Sequence, residues 1–114
     1  MKKRIEQLLY SVGVTHCYVG FPYFVSAVIL AAEDLSRLSN IRKHIYMPLT
    51  VTYKTQVHNI ERDIRTIRSI IVQNAGIEWL ERMAGYHLYR KEDIYPREII
   101  GILANYIIEE KGSH

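Results

Sequence analysis

A ladder of branched apolar residues between positions 57 and 71 constrains this chain more than any other feature. Val57, Ile60, Ile64, Ile67 and Ile71 recur at intervals of three and four, so at about 100° per residue they gather on one side of a helix. His58, Glu61, Arg62, Arg65 and Ser69 gather on the roughly opposite side. The pattern predicts one long helix from about Gln56 to Asn74, seated in a core along one face. Its other face carries two arginines, one histidine and one carboxylate outward.

The rest of the chain shows the same period. Ile5, Leu8, Leu9 and Val12 form a stripe that Gly13 stops. Val14 to Gly20 is β-branched and aromatic and reads as an extended linker. Pro22 opens a strongly apolar helix through about Leu35, suited to the centre of a bundle. Ser39 or Asn40 caps a third element carrying Ile41, Ile45 and Tyr46. Pro48 interrupts it, giving a short helix, a kink and a second short helix that ends near Tyr53. Lys54-Thr55 separates this from the long helix, which Gly76 closes. A shorter helix from Ile77 to about Ala84, a loop through Tyr95 and a last helix from about Pro96 to Glu109 complete the reading. The expected fold is all-α, a compact bundle of about six helices, with residues 1–114 as a single domain.

Composition agrees with this and excludes several classes of function. With 114 residues, 48% hydrophobic and 24% charged, the chain has material for one core, as domains of about 100–150 residues do. The longest purely apolar run, Ala27 to Ala32, is far short of the roughly 18 residues a membrane span needs. Lys2-Lys3-Arg4 is followed by Glu6 and Gln7 rather than an apolar stretch, so no secretory leader is read and a cytoplasmic protein is expected. The single Cys17 allows no internal disulfide, and five dispersed histidines never take the i, i+4 spacing of a helical metal motif. No metal or cofactor is expected. Glu33-Asp34, Glu92-Asp93 and Glu109-Glu110 lie on separate elements, and Cys17 has no base beside it, so no enzyme activity is read. Cys17 reads instead as inert packing.

Charge is distributed unevenly. The net charge is +3, but Arg37 to Arg68 holds seven basic residues against Glu61 and Asp63 only. The remainder holds eight basic and ten acidic residues. A basic middle between slightly acidic ends suits a surface that meets phosphate. Two helical pieces separated by a tight turn, the second long and basic, have the form of a helix-turn-helix. Arginine can donate two bonds to guanine O6 and N7, and a carboxylate can accept from cytosine N4. Arg62 and Arg65 are therefore the candidate base readers, with Glu61 accepting from a base or orienting an arginine. Lys43, Lys54 and Arg68 are the candidate phosphate contacts. A simpler reading makes Glu61 and Arg65 an i, i+4 pair on a solvated face.

Several runs resemble the C-terminal effector domain of the stage-zero sporulation protein A family. Ile41-Arg42-Lys43-His44-Ile45-Tyr46-Met47-Pro48-Leu49 resembles that family's I-T-K-x-L-Y-P-x-I-A, and Thr55 to Thr66 resembles its T-T-x-S-R-V-E-R-A-I-R-H. Gly13-Val14, Gly20-Phe21-Pro22-Tyr23-Phe24, Gly85-Tyr86 and Glu98-Ile99-Ile100 resemble further family segments, so the likeness spans nearly the whole chain. It implies a bundle of about six helices and a helix-turn-helix on double-stranded promoter DNA, often in tandem or dimeric copies. It also implies contact with RNA polymerase sigma factor. Glu61, Arg62 and Arg65 match the residues that face DNA in the family's recognition helix. The chain departs from the pattern at Cys17, Val19, His58, Asn59, Asp63 and Thr66, and its proline is displaced by one residue to Pro48. The family's receiver domain would not fit in 114 residues, so an excised domain or a stand-alone relative is expected. A rival expectation follows from the departures: a protein-interaction module of the same fold that has lost DNA binding, pairing through the C-terminal helices around Trp79.

Overall fold

The computed structural model describes residues 1–89 and 93–112, and every regular element among them is helical. The α-helices are α1 (Lys2–Tyr10), α2 (Phe21–Glu33), α3 (Met47–Tyr53), α4 (Val57–Gln73), α5 (Gly76–Ala84) and α6 (Pro96–Gly112). A 3₁₀ segment over Leu35–Asn40 and a π-helical turn over Arg42–Tyr46 lead into α3. Residues 90–92, which include Glu92 and part of the expected loop before Pro96, lie outside the described residues, as do 113–114.

The core forms because each apolar stripe finds another. Phe24, Val25, Ala27, Val28 and Ala31 of α2 are buried, as are Ile99, Ile100, Leu103, Ala104 and Ile107 of α6, and these two helices form the most extensive pairing in the molecule. Ile60, Ile64, Ile67 and Ile71 of α4 are fully buried, so the ladder read from sequence is the inner face of that helix. Ile5, Leu8 and Leu9 of α1 and Leu80 of α5 close the periphery. Burial of each Val, Leu, Ile or Phe side chain among these contributes about 1.5–3 kcal/mol. None of the described charged side chains is buried, and Tyr46 is the described residue that takes a phenol hydroxyl into the core. Trp79 is partly buried and packs against the core.

Local chemistry corrects the sequence reading in several places. Gly13 ends the first helix as expected, with φ +81° and the Val14 amide donating to the Leu9 carbonyl at 3.0 Å. The segment 14–20 is not extended. It turns twice, Tyr18 N–H to Thr15 O at 3.2 Å and Phe21 N–H to Tyr18 O at 3.1 Å, because Val14 is drawn into the core and no strand partner exists among the described residues. Cys17 sits on this turn and is exposed rather than packed. Helix α2 stops at Glu33, two residues short of Leu35, since Asp34 is extended (φ −158°). Its carboxylate accepts from the Ser36 amide at 3.0 Å and hydroxyl at 2.6 Å, capping the 3₁₀ segment.

Pro48 does not break the chain into two helices. It takes an early position in α3, and the turn before it widens to π spacing, which accommodates a residue without an N–H. Gly76 does not close α4 either. Asn74 is its C-cap, Ala75 takes the left-handed conformation (φ 57°) and Gly76 is the buried first residue of α5. Glycine is required there because a Cβ would collide with the carbonyl and Cγ2 of Ile71. The Asn74 side chain donates to the Val12 carbonyl at 3.0 Å, joining the end of α4 to the end of α1.

Candidate nucleic-acid interface

Helices α3 and α4 meet across three residues, 54–56. Lys54 adopts the left-handed conformation (φ 51°, ψ 50°) and Gln56 is extended at φ −94°, ψ 154°, so the chain reverses and starts α4 at once. The Thr55 amide donates to Thr50 O at 3.1 Å and the Asn59 amide to Gln56 O at 3.0 Å. The Asn59 side chain donates to Thr55 Oγ1 at 3.0 Å. Asn59, one of the departures from the family pattern, is thus used in bracing the turn. Buried Leu49 and Ile60 pack on either side of it. The Tyr53 hydroxyl lies 2.6 Å from Ser26 Oγ, which anchors α3 on α2.

The N-terminus of α2 fixes α4 from behind. Gly20, the N-cap of α2, lies so close to the backbone of α4 that a Cβ would collide with the Asp63 carbonyl. With its inner face held in this way, α4 turns its other side outward. His58, Arg62 and Arg65 are exposed, and Glu61 and Ser69 are half-buried at the margins. Lys43 and Lys54 are exposed at the start of the π turn and the end of α3.

Several of these side chains have acidic or backbone partners. Arg42 Nε lies 3.3 Å from Glu61 Oε1, so Glu61 pairs across elements with Arg42 rather than along the helix with Arg65. Arg62 Nε donates to Asp63 Oδ1 at 3.1 Å, yet the Arg62 side chain keeps 60% of its surface exposed. Ser69 Oγ donates to the Arg65 carbonyl at 3.1 Å. Arg68 Nε donates to the Ile94 carbonyl at 2.8 Å, so this residue also binds the segment before α6 to α4. Tyr46 is buried under the elbow, and burial, reinforced by Glu61 and opposed by Arg65, pushes its phenol well above the usual range. It stays neutral.

Among the predicted residues, the structure brings His58, Glu61, Arg62, Arg65 and Ser69 onto one helix face, with Lys43 and Lys54 on the preceding segment. Arg42 was not singled out from sequence, although it belongs to the basic stretch. A groove of about 750 Å³ follows the C-terminal half of α4 and is walled on the far side by Asp93, Ile94, Tyr95 and Pro96. Gln73 and Tyr95 on that groove also escaped the sequence reading, because the two walls are more than twenty residues apart. Among the described residues, no group of three His, Cys, Asp or Glu side chains could hold a metal ion, and no helix is long and apolar enough to cross a membrane.

A small helical domain that turns one cationic helix face outward, over a ladder buried on the reverse, presents the charge that a polyanion such as DNA requires. The family described as sporulation initiation factor Spo0A C terminal matches residues 5–107, and the chain belongs to that family. Domains of this family bind DNA, regulate transcription and are non-catalytic. No solved structure matches the chain.

Proposed function

We propose that α3, the turn at 54–56 and α4 form a helix-turn-helix whose second helix enters the major groove of promoter DNA. Arg62 and Arg65 read base edges, where a guanidinium fork matches guanine O6 and N7. Glu61 holds Arg42 or accepts from cytosine N4, and His58 and Ser69 bound the reading face. Lys43, Lys54 and Arg68 supply charge to backbone phosphates. The observation that carries this reading is the outward display of Arg62 and Arg65 over the fully buried Ile60, Ile64, Ile67 and Ile71. In the same reading residues 1–114 fold as one domain in the cytoplasm, which binds DNA as tandem or dimeric copies and contacts a sigma factor.

A salt-titrated binding assay tests it. Log affinity for duplex should fall with log salt by about 0.9 per phosphate neutralised. Arg62→Ala should cost about 1–3 kcal/mol on a preferred sequence. Unchanged affinity in that variant removes Arg62 from the reading face. The rival, a protein-interaction module without DNA binding, has one specific observation behind it: Asp63 engages the Nε of Arg62. A stable dimer in light scattering, together with no retardation of duplex at low salt, would establish the rival instead.

A further inference from the structure

We propose that the groove between α4 and residues 93–96 seats one sugar-phosphate strand of the bound duplex, with Gln73 and Tyr95 at its far end as additional backbone contacts. This rests on α4 lying in the major groove and adds a second contact zone to it. Among the described residues, the groove is lined by Arg62, Arg65 and Arg68 against the one carboxylate of Asp93, and although Asp63 engages Arg62, two further guanidinium groups give it a charge that suits a polyanion. Its volume of about 750 Å³ fits an extended strand better than a lone ion.

Geometry places a strand there. A helix with its side chains is about 10–12 Å across and the major groove is about 12 Å wide, so a helix within it is flanked closely by backbone. The groove runs along such a flank and shares Arg62 and Arg65 with the reading face. Its far wall is held to α4 by the 2.8 Å bond from Arg68 Nε to the Ile94 carbonyl, so the cleft is formed before DNA arrives. Ser69 and Gln73 continue the α4 wall one turn apart, which extends the polar lining along the helix.

Gln73 is exposed and outside the reading face, so charge can be changed there without disturbing the core. Fluorescence anisotropy of a mixed-sequence duplex is measured against salt for the unaltered protein, Gln73→Glu, Gln73→Lys and Arg62→Ala, with urea midpoints confirming folding. Gln73→Lys should tighten binding and steepen the log–log salt slope by about 0.9, and Gln73→Glu should weaken binding several-fold. If the two Gln73 variants change binding in the same direction, or neither changes it while Arg62→Ala weakens it, the groove proposal fails and the α4 reading stands. Indifference to all three variants overturns both. A third arm titrates inorganic phosphate and ATP while following amide resonances of residues 65–73. Shifts there, together with duplex affinity insensitive to Gln73, would make the groove a small-anion site and overturn the strand assignment.

Discussion

Replacing Gly20 by alanine probes the contact that holds the candidate interface from behind. The added Cβ would collide with the Asp63 carbonyl oxygen, lie 2.8 Å from its carbonyl carbon and lie 3.0 Å from Ile67 Cγ1. Two of these three atoms are helix backbone and cannot swing aside as the end of a flexible side chain would. Overpacking of this kind costs about 1–3 kcal/mol, and alanine is also a poorer N-cap than glycine. For a domain of this size each kcal/mol lowers Tm by about 4 °C. Gly101→Ala provides the opposite sign. Its Cβ would meet only Leu38 Cδ1 at 3.4 Å, in the interior of α6, so alanine should stabilise by about 0.5–1 kcal/mol through helix propensity. Urea unfolding followed by circular dichroism measures both. Equal midpoints for the two variants, or a Gly20→Ala midpoint at or above that of the parent, would refute the close approach of α2 to α4. Gly20→Ala should also weaken duplex binding under conditions where it is fully folded, because relief of the collision moves the outward face of α4.

Two further substitutions separate stability from binding. Lys54→Gly relieves a left-handed lysine (φ 51°) and should raise stability by about 1 kcal/mol. It should also flatten the salt slope of duplex binding by about 0.9, so the two readouts move in opposite directions. Arg4 donates to both oxygens of Glu110, at 2.9 and 2.7 Å, which lowers the pKa of that carboxyl. A depressed folded-state value means the stabilisation is present above the unfolded pKa and is lost as pH falls through the folded one. Glu110→Gln should remove that part of the acid dependence, within the 0–1 kcal/mol of an exposed pair, as judged from urea midpoints at neutral and acid pH.

How much of this was legible beforehand depended on whether the signal was local. The stripe of Ile60, Ile64, Ile67 and Ile71 lies within one helix and its period is unambiguous, so both faces of α4 were readable to within one residue at each end. Pro48 and Gly76 were misread for a common reason. Each residue has a strong average preference, but the π turn before α3 and the left-handed Ala75 supplied another way through. Segment 14–20 has strand-like composition, yet a strand needs a partner and the bundle offers none among the described residues. The simpler reading of Glu61 pairs it with its helical neighbour Arg65, whereas folding brings Arg42 to it from another element. The groove beside α4 was invisible because its second wall is set by tertiary packing.

The clasp between Arg4 and Glu110 brings the first and last helices of the described chain to one pole of the molecule. Any neighbouring module spliced onto either terminus would therefore emerge from the same place. Joining the existing ends and opening the chain at an exposed turn such as 15–19 would need only a modest bridging peptide.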